Sequence, residues 1–107
     1  MDLDQYDPPI VGPDAIESTE LFVNDDVLVK LFALGPGAEL SAHEHSDSTN
    51  VFHVLEGTVT VIREETEEAI DAPGIVFHER GSAHGARNDT DDVAVLTASL
   101  CPLPGSG

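Results

Sequence analysis

The stretch NVFHVLEGTVTVIREE, residues 50–65, indicates the fold most directly. In its second half Val59 and Val61 share one face of a strand, while Thr58, Thr60 and Ile62 point to the other face. Its first half, NVFHVL, is rich in β-branched and aromatic residues, which favour strands. Gly57 lies between the two halves. The stretch therefore predicts two consecutive strands joined by a tight turn.

Similar short apolar runs lie on both sides of this pair of strands. They include LFV at 21–23, VLVKLFAL at 27–34 and VAVLTASL at 93–100, separated by turn sequences such as GPG and NDTDD. The chain contains no convincing amphipathic helix. About eight or nine short strands at this spacing predict an all-β barrel or sandwich.

The chain of 107 residues has the length of one domain and shows no internal repeat. Prolines and glycines near the N-terminus predict an irregular arm over residues 1–20, with a helical turn at most before the first strand. We expect the barrel domain to span residues 21–101. Residues 102–107, PLPGSG, are expected to form an irregular tail.

Charge is the strongest bulk signal, because 21 acidic residues face only 4 basic ones and the formal net charge is −17. Such a surface repels nucleic acid and anionic membranes, whose binding needs clustered lysine and arginine. High salt screens the self-repulsion of a highly charged chain, so we expect a protein from a salt-accumulating halophile. An acidic protein from a mesophile is the alternative.

The location is expected to be cytoplasmic. No apolar run approaches the length of a membrane span, and the acidic start MDLDQYDPPI is unlike a signal peptide. Cys101 is the single cysteine, so no intrachain disulfide can form.

Histidines supply the candidate chemistry. On a strand, His43 and His45 point to the same face, where two imidazoles can bind one divalent metal ion. A third ligand would come from His53, His78 or His84. If Asn50 faces the same interior as the pair, then His53 faces away from it. Taken alone, the pair could also be a chance feature of a polar strand.

The residues around this pair resemble the cupin superfamily. Its first motif places a glycine, His-x-His, an acidic residue and a second glycine at spacings that Gly37, His43-Glu44-His45, position 50 and Gly57 reproduce. Position 50 holds Asn in place of Glu. Gly81, His84 and Asn88 match the end of the second motif. In the first half of that motif, Gly74 lies one residue too close to Gly81, and Glu79 stands where a proline is usual.

The resemblance covers roughly residues 25–100 and implies a single-domain double-stranded β-helix, a jelly-roll-like barrel. It also implies a divalent metal ion, Fe, Mn, Ni or Zn, held by His43, His45 and His84. Asn50 occupies the position of the fourth ligand. Homodimers formed through sheet edges are a further implication of the resemblance.

Asn50 changes what such a metal centre can do. An amide brings a dipole where a carboxylate brings a full charge, so we expect weaker metal binding and more open coordination positions. An anionic, chelating substrate would supply the missing charge. Asn50 could also bind the metal through its amide oxygen or hydrogen-bond a metal-bound water.

Several other residues carry expectations. Arg80 and Arg87 could hold a carboxylate substrate, although surface ion pairs with the abundant acidic residues are the favoured interpretation. Glu79 could serve as a base near the mouth of the barrel. His78, if it faces inward, could contact the substrate or support a ligand. Phe52, Val54 and Phe77 are expected to be core residues, and Asn88 is expected to have a structural role.

Two functions from different classes remain open. The first is a metal-dependent enzyme, a dioxygenase or isomerase acting on a small organic acid, thiol or diketone-like substrate. The second is a non-catalytic cupin that binds a small molecule or a metal ion as a sensor or binding module. Both need a small-molecule ligand, and neither needs nucleic acid or a membrane.

Overall fold

A computed structural model describes residues 10–43 and 47–103 of the chain. These residues form strands and connecting turns, with no helix among them. The strands are β1 (Ile16–Val23), β2 (Leu28–Leu34), β3 (Glu39–His43), β4 (Thr49–Glu56), β5 (Thr58–Arg63), β6 (Thr66–Asp71), β7 (Gly74–His78), β8 (His84–Arg87) and β9 (Ala94–Cys101). No helix within the described ranges is therefore long and apolar enough to cross a membrane.

The strands form two antiparallel sheets. The five-stranded sheet has the order β1-β2-β9-β4-β7, and the four-stranded sheet has the order β3-β8-β5-β6. The main core lies between them, where Phe52, Val54, Val59 and Val61 pack against one another and against strand β9. Thus the stretch 50–65 supplies one strand to each sheet, and the all-β prediction is confirmed.

The turn between those two strands depends on Gly57. Its φ of 73° lies in the left-handed region that glycine adopts without steric cost. A Cβ at this position would also lie 3.0 Å from the carbonyl oxygen of Val93. The predicted tight turn between the two strands is therefore confirmed, and its geometry requires glycine.

The five-stranded sheet is covered on both faces near β2 and β9, which explains why VLVKLFAL does not alternate. Leu34 faces the main core, while Leu31, Ala33 and Val95 form a smaller cluster with Val11. Val11 belongs to the segment before β1, so that segment packs against the sheet.

Two expectations about structure were wrong. Residues 16–20 belong to β1, which pairs with β2, although the sequence predicted an irregular arm there. This strand is mostly exposed and polar, so it lacks the alternation that identifies a strand. Phe77 is 64% exposed and not in the core, because it lies on the outer face of the edge strand β7.

Candidate functional site

Strand register brings several polar residues to one level of the barrel. In the four-stranded sheet, the Cα of His84 is the partner of the Cα atoms of both His43 and Arg63. In the five-stranded sheet, Asn50 is the partner of His78. A hydrogen bond of 2.7 Å between Asn50 Nδ2 and His84 Nε2 joins the two sheets at this level. Residues from both sheets therefore converge on one site.

His84 is held in a defined tautomer. It is 1% exposed, and its Nδ1 lies 2.8 Å from the carbonyl oxygen of Ser82. Because a carbonyl oxygen only accepts, Nδ1 carries the proton and donates it. Nε2 then presents a lone pair, which accepts from the Asn50 amide. A backbone carbonyl on one ring nitrogen is the usual support of a histidine that binds a metal through the other.

Asn50 is the second buried polar group of the site, with 2% exposure. Its Nδ2 donates to His84, whereas its Oδ1 has no hydrogen-bond partner among the described residues. Buried polar atoms in native proteins nearly always have a partner. The unsatisfied Oδ1 is therefore an acceptor that a cation or a ligand proton can satisfy.

His78 faces inward, which was the condition set for a contact with the substrate or with a metal ligand. It is fully buried, and its ring stacks on that of His84 with centroids 4.4 Å apart and planes 8° apart. Phe52 meets both rings edge-on, at 4.5 Å and 5.6 Å. Arg63 Nε donates to His78 Nδ1 over 3.3 Å. Since Nδ1 accepts, the neutral His78 ring carries its proton on Nε2.

Arg63 is a functional candidate that the sequence argument missed. It follows Val59 and Val61 in the inward-facing alternation of β5, and this period of two was the available signal. Its side chain lies at the gap between the edge strands β6 and β7. Arg63 is therefore the register partner of the third predicted ligand, whereas Arg87 is paired with surface carboxylates.

The gap beside Arg63 contains a groove with two connected parts. An inner part of about 190 Å³ is lined by Val61, Arg63, Thr66, Glu68, Ile70 and Val76. An outer part of about 540 Å³ shares four of these residues and adds Ile75, Phe77, Glu79 and Ser82. Arg63, which lines both parts of the groove, is the residue that connects it to His78 through a hydrogen bond. Glu79 lines its outer part.

The predicted metal ligands are described only in part. Asn50 and His84 are in direct contact, whereas His45 and the side chain of His43 lie outside the described residues. Within the described ranges, no group of three His, Cys, Asp or Glu side chains could hold a metal ion. The four-residue ligand set therefore stays a prediction. His53 is half-buried and alternates with the buried Asn50 and Phe52 on β4, so it faces the other side of the sheet.

Arg87 forms the surface ion pairs that were expected. Its guanidinium contacts Glu67 at 2.6 Å, Asp89 at 2.7 Å and Glu39 at 3.7 Å. Hydrogen bonds from Arg87 lower the pKa of Glu67 and of Asp89, and Thr60 adds a smaller effect on Asp89.

Asn88 is structural, as its motif position predicted. It is fully buried, and its Nδ2 donates to the carbonyl oxygens of Leu34 and Asp92. Its Oδ1 accepts from Thr90. These bonds connect the end of β2 with the loop before β9.

A family model described as "Cupin domain" matches residues 30–100 of this chain. The protein belongs to the cupin superfamily. The match covers both of the motifs that carried the resemblance. None of the proteins with curated functions matches the sequence.

Solved structures support the same assignment. TT1209 from Thermus thermophilus is similar to this cupin, with 32% sequence identity and a TM-score of 0.80 over 86% of this chain and 88% of that chain. A predicted oxalate decarboxylase from Thermotoga maritima has 20% identity and a TM-score of 0.77, over 82% and 81% of the two chains. KdgF from a Halomonas species has 16% identity and a TM-score of 0.76, also over 82% and 81%. The last two show the shared fold alone.

Proposed function

We propose that this cupin binds a divalent metal ion, Fe, Mn, Ni or Zn, through His43, His45 and His84, with the amide oxygen of Asn50 as the fourth donor. The observation that carries the proposal is the His84–Asn50 pair. His84 Nε2 is unprotonated and accepts from Asn50 Nδ2, and the buried Asn50 Oδ1 lacks a partner in the described structure. Imidazole nitrogen and amide oxygen are both suitable donors for these ions.

The Asn50 amide makes the proposed centre less negative than one with a carboxylate. The ion would therefore keep more of its positive charge and favour an anionic small molecule in its remaining positions. Such an ion supplies Lewis-acid or O₂ chemistry when it is bound. A small organic acid, thiol or diketone-like compound is the proposed substrate, and oxidative cleavage or isomerisation is the proposed reaction.

The chain's own residues would orient this substrate and exclude water. Phe52 covers the edges of both imidazole rings, and the core behind it is apolar. His78 holds its proton on Nε2, because Arg63 donates to its other nitrogen. The groove between β6 and β7 is the route by which the substrate would enter.

A non-catalytic binding protein is the second candidate. It is favoured by one observation, which is that His84 Nε2 already accepts a hydrogen bond from Asn50 Nδ2 at 2.7 Å. The lone pair of His84 Nε2 is thus satisfied without a metal ion, which would suit a module that binds a neutral or anionic small molecule directly.

Metal analysis of protein purified without chelators tests the proposal. We expect about one ion per chain in the wild type, strong loss in His84→Gln and no loss in His53→Gln, which changes a histidine on the other side of the sheet. Equal metal content in the wild type and His84→Gln would refute it. O₂ uptake or isomerisation by the metal-loaded protein, measured across small acids, thiols and diketones, then separates the enzyme from the binding module.

A further inference from the structure

We infer that Arg63 binds the carboxylate of a small aliphatic monocarboxylate in the groove between β6 and β7. Any reaction of the bound ligand rests on the proposed function. His84, one of the proposed metal ligands, is the register partner of Arg63 on the neighbouring strand. Partners on adjacent antiparallel strands have Cβ atoms about 5 Å apart. Arg63 also donates to His78, whose ring stacks on that of His84, so a carboxylate bound to Arg63 would lie near this proposed metal ligand.

The bonding of Arg63 leaves donors for a ligand. A guanidinium carries five N–H groups in a fixed plane. Its Nε donates to His78 Nδ1, and Nη2 donates to the carbonyl oxygen of Phe77. The remaining N–H groups have no partner in the described part of the chain, and the side chain lines the groove. They can form the paired hydrogen bonds that carboxylates accept from arginine.

No carboxylate among the described residues forms an ion pair with Arg63. The ion pairs found over residues 10–43 and 47–103 all involve Arg87, which contacts three carboxylates, and none involves Arg63. This is unusual in a chain with 21 acidic and 4 basic residues. Glu68 and Glu79 line the same groove but form no ion pair with Arg63. The guanidinium of Arg63 can therefore bind an anionic ligand without displacing a carboxylate of the described residues.

Neighbouring structure holds Arg63 in place before any ligand arrives. In the turn after β5, Glu64 N donates to the Ala83 carbonyl oxygen at 2.8 Å, and Ala83 N donates to Glu64 Oε1 at 3.1 Å. His78, which accepts from Arg63, is itself stacked on His84 and packed against Phe52. A side chain that is already ordered loses less entropy when it binds.

The shape and charge of the groove define the ligand. Its inner part has apolar walls from Val61, Ile70 and Val76, and its volume of about 190 Å³ is below the 300 Å³ or more of a drug-sized site. Such walls favour a short aliphatic body. Glu68 in the inner groove and Glu79 at its outer part repel additional negative charge, so they disfavour dianions and phosphate esters.

The test uses isobutyrate as the probe and the neutral isobutyramide as its uncharged counterpart, at constant ionic strength. Binding is followed by the arginine Nε–H signals in ¹H–¹⁵N spectra of the ¹⁵N-labelled full chain. The arginines in the sequence are Arg63, Arg80 and Arg87, so the variants themselves assign these signals. Arg80→Gln is the matched control, because Arg80 is exposed and its replacement makes the same change in net charge.

We expect isobutyrate to shift the Arg63 signal of the wild type and isobutyramide to leave it unchanged. Arg63→Gln should weaken isobutyrate binding by about tenfold to a hundredfold, Arg63→Lys by less, and Arg80→Gln not at all. Wild-type affinity in a folded Arg63→Gln protein, or equal shifts with the amide, would overturn the inference. So would an unchanged Arg63 signal in the wild type, which needs no variant to fold.

Parallel titrations with EDTA-treated protein and with protein supplied with Zn²⁺ separate this inference from the proposed function. Isobutyrate binding that depends on Arg63 in both samples supports the inference, even if no zinc binds and the metal proposal fails. Zinc binding that depends on His84, together with isobutyrate binding that is indifferent to Arg63, retains the metal proposal and overturns the inference.

Discussion

Replacing Asn50 by aspartate should lower the stability of the metal-free protein and raise its affinity for metal ions. The side chains have nearly the same shape, so the substitution changes charge and hydrogen bonding with little repacking. In the wild type, Asn50 Nδ2 donates to His84 Nε2 over 2.7 Å. In Asn50→Asp an oxygen replaces that donor. Two acceptors then face each other unless a proton or a metal ion lies between them.

The burial of Asn50 determines how much stability the Asn50→Asp protein loses. The site is 2% exposed, so water cannot satisfy the new carboxylate, and its other oxygen inherits the position of Oδ1, which has no hydrogen-bond partner in the described structure. Losing one hydrogen bond and leaving a buried charged acceptor unsatisfied costs about 2–4 kcal/mol. At roughly 4 °C per kcal/mol or more for a domain of this size, Tm in EDTA should fall by at least about 8 °C.

Zinc should stabilise Asn50→Asp more than it stabilises the wild type. A carboxylate adds a full negative charge to the ligand set, so we expect at least about tenfold tighter zinc binding in Asn50→Asp, and in Asn50→Glu where the longer chain reaches the ion. Tighter binding appears as a larger rise in Tm at the same free zinc concentration. Thermal melts in EDTA and in buffered zinc, with His53→Asp as the control, measure both effects.

Two results would refute the reasoning. If Asn50→Asp bound zinc no better than the wild type, Asn50 would not lie in the coordination sphere of a metal ion. If its Tm in EDTA equalled that of the wild type, the buried contact between Asn50 and His84 would not contribute to stability.

Three further predictions concern the surface. Arg87 lowers the pKa values of Glu67 and Asp89. Their contribution to stability is therefore present above the unfolded pKa values near 4.5 and 3.8 and is lost as pH falls through the lower folded values. Arg87→Gln should flatten the fall of Tm between about pH 5 and pH 3, whereas Arg80→Gln should not. Because the net charge is −17, Tm should rise markedly between low and multimolar KCl, and equal values would contradict the halophile hypothesis. Light scattering in high KCl should give about twice the chain mass of 11.3 kDa if the protein is a homodimer, and the monomer mass would contradict that expectation.

Much of the fold could be predicted because short strands and tight turns have recognisable local sequence patterns. The alternation of β5, the apolar β9 and the glycine turn at Gly57 all follow from local rules of side-chain direction and backbone sterics. Strand β1 did not follow from them, because it is mostly exposed and is held by its backbone pairing with β2.

Part of the candidate site could likewise be predicted from the sequence, and part could not. Its motif spacing identified His84 and Asn50, and the period of two placed His53 on the opposite side of β4 from Asn50. The role of Arg63 was not visible, although its inward direction was. What it contacts depends on His78, a residue on the other sheet, and on the groove left open between β6 and β7.

The sequence by itself determined the strand pattern, the family motifs and the choice of residues able to bind a metal ion, because these depend on spacing along one chain. Only the tertiary structure decided that Asn50 donates to His84, that His78 stacks on the same ring, and that Arg63 stands without a counter-ion among the described residues. Those contacts join strands from two different sheets. They depend on sheet register and packing, which local sequence patterns do not encode.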